Sequence, residues 1–316
     1  MQPIRRLILA AIFVAGSMAP ALAAPKVVTS ILAVHSLASS VMTGVGTPDL
    51  LISGDTSPHR FALRPSQRKA LAEADLIFWI GENIEGSLAK VISLSRARGV
   101  ALMRAPDVIR LKARSGGVWG EGDHGHDHGH GHGHKDDHGK KEDAEIDAHI
   151  WLDPANARAI VKTMVAELGK VDPANQARYK TNGEAALARL NRLEKELAAK
   201  LAPVRKRPFV VFHDAFQYFE RRFGMTAAGS LLVHAGHAPS AKRMFQIRKK
   251  ILAGNVECVF REPQFDAKLA DSVARGTPAR IATLDPVGSG LKSGPGAYDA
   301  LIRNIATSMI GCLGQG

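Results

Sequence analysis

Short apolar runs of strand length alternate with helical patterns at both ends of this chain, and one polar stretch interrupts the alternation. Val27 to Leu32, Leu50 to Ile52 and Leu76 to Ile80 read as buried strands. Between the second and third, Pro65 to Ala74 has helical composition, with Ser66 placed to cap its start. This alternation predicts α/β layers around a mainly parallel sheet. From Gly116 to Ala144 the pattern stops: glycine, histidine, aspartate and lysine dominate, and almost nothing could enter a core. A mobile surface loop is expected there.

Periodicity resumes at Asp147. Asp153-Pro154 is an N-cap followed by proline at the first helical position. Ile160, Met164 and Leu168 then recur at every fourth position, and Gly169 is placed to end that helix. Asp172-Pro173 repeats the start signal, and Ala186, Leu190, Leu193, Leu197 and Leu201 mark one face of a longer helix. At about 30 residues and about 1.5 Å each, it spans roughly 45 Å, enough to run from one domain to another. Pro203 and Pro208 bracket its exit. Beyond it, Val210 to Phe212, Leu231 to Val233, Glu257 to Phe260 and Ile281 to Leu284 predict strands. Helices are expected over Phe216 to Phe223, Ser240 to Leu252, Ala267 to Ala274 and Tyr298 to Ile310. The expected fold is α/β: two lobes with mainly parallel sheets flanked by helices, joined by one long rigid helix.

The first residues add a compartment. Arg5 and Arg6 give a positive start, Leu7 to Val14 an apolar run, and Ala21-Leu22-Ala23 a small-residue cleavage pattern. Residues 1–23 are expected to be a secretory signal peptide. The lobes are then expected over 24–170, with the histidine-rich loop at 116–144, and over 203–316, with the connecting helix at 171–202. A 45% hydrophobic content fits a globular protein. The net charge of +12 falls to +10 once the two signal arginines leave. Those charges are dispersed and no nucleic-acid motif accompanies them, so nucleic acid is not an expected partner. Cys258 and Cys312 are the two cysteines. An even count in an exported chain favours a disulfide between them, and they lack the C-x-x-C spacing of redox or metal sites.

Thirteen histidines fall into two populations. Seven, His124, His126, His128, His130, His132, His134 and His138, lie in the glycine-rich loop beside Asp127, Asp136 and Asp137. That composition suits auxiliary, low-affinity metal binding, because a flexible segment must be ordered to form a site. Among the others, His59 follows the second strand and His149 precedes a capped helix. His213 directly follows a strand, and ligands of open α/β sheets bind beyond carboxyl strand ends. Asp285 ends the last strand in the same way. Imidazoles with a carboxylate suit tetrahedral zinc. Taken singly, a strand-end histidine is commonly a satisfied polar residue, Asp285 before a proline can initiate a turn, and Asp214 reads as a helix cap. His234 and His237 read as ordinary loop residues, and His35 packs near the start of the first helix.

Several motifs together carry a resemblance. Ser57-Pro58-His59, Leu63-Arg64-Pro65-Ser66, Asp147-Ala148-His149-Ile150-Trp151-Leu152-Asp153-Pro154, Phe212-His213-Asp214-Ala215-Phe216 and Glu262-Pro263-Gln264-Phe265 are similar to motifs of the periplasmic zinc-binding components of bacterial zinc ABC transporters. That cluster also includes manganese-binding relatives. The resemblance runs over essentially the whole mature chain. It implies a zinc ion held between the lobes by His59, His149 and His213. Asp285 stands at the fourth position, where relatives place an acidic ligand or leave room for water. It further implies a monomeric periplasmic receptor that is not an enzyme and that serves an ABC transporter permease in the inner membrane, with other periplasmic zinc carriers as further partners. Three imidazoles favour zinc over the harder manganese ion. The rival readings are a periplasmic zinc buffer or metallochaperone and, more remotely, a zinc hydrolase, for which no H-E-x-x-H helix is present.

Overall fold

The computed structural model describes residues 23–114, 119, 146–232 and 239–315. The signal segment up to residue 22, the histidine-rich stretch with all seven of its histidines, and His234 and His237 lie outside the described residues.

The N-terminal sheet is built from β1 (Val27–Ile31), β2 (Asp49–Ile52), β3 (Leu76–Trp79) and β4 (Arg98–Ala101). Its spatial order is β2-β1-β3-β4 and every pairing is parallel. The crossovers carry α1 (Leu32–Val41), α2 (Pro65–Glu73) and α3 (Glu82–Leu94). Parallel strands need such crossovers, and covering helices are why β1 and β3 are buried along their whole length. After the histidine-rich stretch come α4 (Pro154–Val171) and the 26-residue α5 (Gln176–Leu201). The C-terminal sheet repeats the first plan: β5 (Phe209–His213), β6 (Ala227–Leu232), β7 (Cys258–Arg261) and β8 (Arg280–Thr283), in parallel order β6-β5-β7-β8. Its helices are α6 (Gln217–Phe223), α7 (Ala241–Lys250), α8 (Lys268–Ala274) and α9 (Ala297–Leu313).

The expected long helix is α5. Its buried face carries Ala186, Leu190, Leu193, Leu197 and Leu201 as the periodicity requires, extended by Tyr179 and Gly183. It packs against α1, α4 and α9, so one hydrophobic core runs from Val27 in the first sheet to Leu313 in the last helix. A second, smaller core lies on the other face of the C-terminal sheet, where Val210 and Phe212 alternate with Phe209 and Val211 of the main core. The Cys258–Cys312 disulfide ties β7 to α9 across 54 residues. By loop-closure entropy such a link stabilises the fold by about 4 kcal/mol.

Two local expectations are corrected. Ser66 does not cap α2: the chain enters at Arg64, whose backbone N–H donates to the Gln67 side chain, and Pro65 takes the first helical position. Gly169 does not end α4, which continues to Val171. Asp172-Pro173 does open the next helical segment, a 3-10 turn over Pro173–Asn175 that runs into α5, but the Asp172 carboxylate accepts from the Tyr179 hydroxyl and the Asn175 side-chain amide instead of backbone amides. Asp153, by contrast, caps α4 by accepting from the Ala155 N–H at 2.7 Å.

Within α3, Glu85 is buried and its backbone leaves helical geometry, with φ −117° and ψ 42°. One carboxylate oxygen accepts from the N–H groups of Ile80 (2.8 Å) and Gly81 (3.3 Å) at the end of β3. Burial pushes this carboxyl up to about 7 from an ordinary value of 4.5. The folded protein thus holds this proton more tightly than the unfolded chain. Its stabilising contribution is complete below pH 4.5 and is lost as pH rises through 7. Glu85→Gln, which keeps the acceptor but cannot ionise, should gain stability relative to the natural protein by up to about 3 kcal/mol between pH 5 and 8. Urea unfolding at the two pH values checks it; an unchanged difference would show that Glu85 does not titrate in this range.

Candidate metal centre

Three loops deliver one histidine each. His59 lies in a 3-10 turn, Pro58–Arg60, on the crossover from β2 to α2, where Pro58 sets the first helical φ. His149 precedes a second 3-10 turn, Ile150–Leu152, that leads into α4. His213 is the last residue of β5, the strand flanked by β6 on one side and β7 on the other. It therefore stands at the carboxyl edge of the sheet where the strand order reverses, the position at which such sheets bind ligands.

The Nε2 atoms of His59 and His149 lie 3.2 Å apart, and so do those of His149 and His213. Among the described residues these three form a group whose ligand atoms all lie within 4.8 Å of one another. Tetrahedral zinc with Zn–N bonds of about 2.0–2.1 Å requires nitrogens roughly 3.3 Å apart, so the donor set can hold such an ion. His149 and His213 are buried and His59 is half-buried. The pocket around them is lined largely by apolar groups, Pro58, Trp151, Phe265, Pro286 and Val287.

Two buried carboxylates orient the imidazoles. Asp147 Oδ1 lies 2.7 Å from His149 Nδ1 and also accepts from the His149 backbone N–H at 3.0 Å. Glu262 Oε1 does the same for His213, at 2.7 and 3.0 Å. A carboxylate at Nδ1 fixes the proton there and leaves the Nε2 lone pair for a metal. Neither brace was singled out from the sequence. The signals for them were the Asp-x-His spacing and the acidic residue that follows β7.

Electrostatics separates the imidazoles. Burial, reinforced by His213, holds His149 well below the ordinary range. Burial also pulls His213 down, but the charge and hydrogen bond of Glu262, with Asp214 and Asp147, outweigh it, so its proton is held above the ordinary range. Burial pushes the Asp147 carboxyl up to about 7 against the pull of the His149 N–H and Arg114.

The structure does not bring Asp285 into the histidine group. Its carboxylate accepts from Gln264 Nε2 at 2.9 Å, from the Val287 and Gly288 N–H groups at 3.0 Å, and from the Ser289 N–H. Asp214 is not a helix cap either. It pairs with the Arg114 guanidinium, whose Nε lies 3.1 and 3.0 Å from its two oxygens and whose other nitrogens reach Glu220. His35 packs in α1 with Nε2 3.0 Å from the Pro48 carbonyl.

A parallel two-sheet fold with a three-imidazole cluster, two of its rings buried, has the features of a metal-binding receptor. Residues 27–312 match the family described as zinc-uptake complex component A, periplasmic. The chain is 43% identical over its full length to the full-length high-affinity zinc uptake system protein ZnuA of Brucella suis. It is 33% identical to the Yersinia pestis protein of that name, over 92% of each chain. A crystal structure of ZnuA superposes with a TM-score of 0.72 at 25% identity, covering 90% of this chain and 99% of that one. The periplasmic zinc-binding protein TroA of Treponema pallidum, at 22% identity, shares the fold with a TM-score of 0.74. The chain belongs to the zinc-uptake component A family.

Because Glu262 is the first of the charges that hold the His213 proton, Glu262→Gln should drop that imidazole below the ordinary range of 6.5 while leaving the hydrogen bond intact. NMR titration of the metal-free protein reads this directly, and an unmoved His213 would sink the assignment of the brace.

Proposed function

We propose that the protein is a periplasmic receptor that captures zinc between its lobes and delivers it to the inner-membrane permease of an ABC transporter. The observation that carries this reading is the convergence of the His59, His149 and His213 Nε2 atoms, two of them braced from behind by buried carboxylates. Three borderline-soft imidazoles favour zinc over oxygen-seeking cations. The names of the relatives, high-affinity zinc uptake system proteins, support the same cargo.

The fourth coordination position falls to Asp285 or to water. Asp285 would first have to release Gln264 and three backbone donors, which favours water. The carboxylates that face the histidines, Asp147 and Glu262, brace imidazoles instead of standing free as a base, which supports a carrier over a zinc hydrolase. No described helix is long and apolar enough to cross a membrane. The histidine-rich stretch with His124, His126, His128, His130, His132, His134 and His138 is read as an auxiliary metal collector of lower affinity from its glycine- and histidine-rich composition.

Calorimetry on protein lacking 116–144 should find one tight zinc ion, with weaker additional ions lost. In that background, alanine at His59, His149 or His213 should each weaken binding by more than about a hundredfold, exceeding the loss expected from an outer partner. Loss of the tight ion on deleting the stretch would make the loop the primary receptor. Zinc-loaded protein should stimulate ATP hydrolysis by the reconstituted transporter; a soluble buffer would leave it unchanged.

A further inference from the structure

Two loops from opposite lobes meet at the edge of the histidine pocket. One, residues 53–57, leaves β2 and runs directly into the turn that carries His59. The other, residues 285–290, leaves β8 and contributes Pro286 and Val287 to the pocket wall. Their backbones approach so closely that a side chain on Gly54 would overlap the Gly288 carbonyl. Gly288 itself has φ +87°, which suits glycine. Asp55 accepts from the Ser289 hydroxyl and, at 3.3 Å, from the Gly290 N–H.

Gln264 ties this junction together. It follows β7 two residues after Glu262, the brace of His213, and it lines the pocket. Its Nε2 donates to the Gly54 carbonyl at 3.0 Å and to Asp285 Oδ1 at 2.9 Å. One amide group thus joins the loop of His59 to the turn that Asp285 organises, and its own backbone is continuous with the segment that positions His213. Next to it, Phe265 packs its ring 5.5 Å from that of His213, with the Arg60 guanidinium 5.9 Å from the Phe265 centroid.

We infer that Gln264 is a latch between the lobes that sets how long zinc stays bound, acting by holding the His59 loop against the C-terminal lobe and not by touching the ion. The inference rests on the three-histidine reading of the zinc site. His149 and His213 are buried, whereas His59 is half-buried on the loop that Gln264 restrains. Release through that side requires the 53–57 loop to part from Gln264, Ser289 and Gly290. Departure of His59 with its loop would leave the ion with two imidazoles. The bond to the Gly54 carbonyl is the one that crosses between the lobes, and a neutral hydrogen bond of this kind contributes a factor of a few to roughly ten. Losing it, together with the Asp285 bond that holds the Gln264 amide in place, should therefore speed dissociation by about tenfold.

The test measures zinc release from loaded full-length protein into excess chelator, for the natural protein, Gln264→Ala, Gly54→Ala and the double variant. Gly54→Ala forces the same loops apart from the other side, so it provides an independent probe should Gln264→Ala fold poorly. Both single variants should release zinc about tenfold faster. The double variant should be little faster than either, because the two changes break one junction. The visible spectrum of the cobalt-loaded variants should match that of the natural protein, since the imidazole donors are untouched. Unchanged release from Gln264→Ala, or fully multiplicative effects in the double variant, would overturn the latch. A changed cobalt spectrum in Gln264→Ala would overturn it too, by making Gln264 a ligand. His59→Ala separates the two levels: if its tight zinc binding is intact, the reading of the site fails and not the latch alone.

Discussion

Everything in the site depends on bringing three imidazole nitrogens within 4.8 Å of one another in an apolar pocket, with His149 Nε2 lying 3.2 Å from each of the other two. Neutral imidazoles this close tend to turn away and satisfy their nitrogens elsewhere. Asp147 and Glu262 prevent that for two of the three by fixing the opposite edge of each ring. Each carboxylate also accepts from the backbone N–H of the histidine it orients, so side chain and main chain are aligned by one oxygen. The remaining imidazole, His59, arrives on a loop whose position depends on the other lobe.

That requirement explains how heavily the lobes are cross-linked. The Trp151 indole donates to the Pro286 carbonyl at 2.8 Å, and the Tyr298 hydroxyl donates to the Trp151 carbonyl at 2.9 Å. The Tyr218 hydroxyl accepts from the Leu111 N–H and donates to the Asp147 carbonyl. Arg222 forms a two-pronged ion pair with Asp153, the cap of α4. The segment from Asp147 to Asp153 is thereby fastened to C-terminal elements on several sides, and His149 sits within it. The helix α5, buried against α1, α4 and α9, supplies the rigid spine for this arrangement.

Much of this was legible in the residues, and the failures have physical causes. Strands buried on both faces, such as β3 and β5, read as nearly continuous apolar runs, and α5 declared its face through leucine spacing. The edge strand β4 went unseen because Arg98 and Gly99 are exposed and carry no strand signal. Helix α1 is buried around its whole circumference and so has no amphipathic stripe to mark it, and α3 is broken at Glu85. At the site, strand-end position pointed to His213, and the motifs pointed to His59 and His149. Their convergence was not readable, since 90 residues separate the first two and 64 the last two. Asp285 shows the same limit: its place at a strand end suggested a ligand, yet turn amides and Gln264 engage its carboxylate, and only three dimensions reveal that.

The pair of carboxylates behind the imidazoles has a further consequence, for valence. An ion seated among neutral imidazoles brings its full charge into surroundings where uncompensated charge costs several kcal/mol. Asp147 and Glu262, both almost wholly buried, offer two negative charges within one imidazole ring of that ion. A 2+ ion would balance those two charges, whereas a 1+ ion would leave one of them uncompensated. Softness of the donors ranks divalent metals against one another, and the two buried carboxylates add a preference for a doubly charged ion.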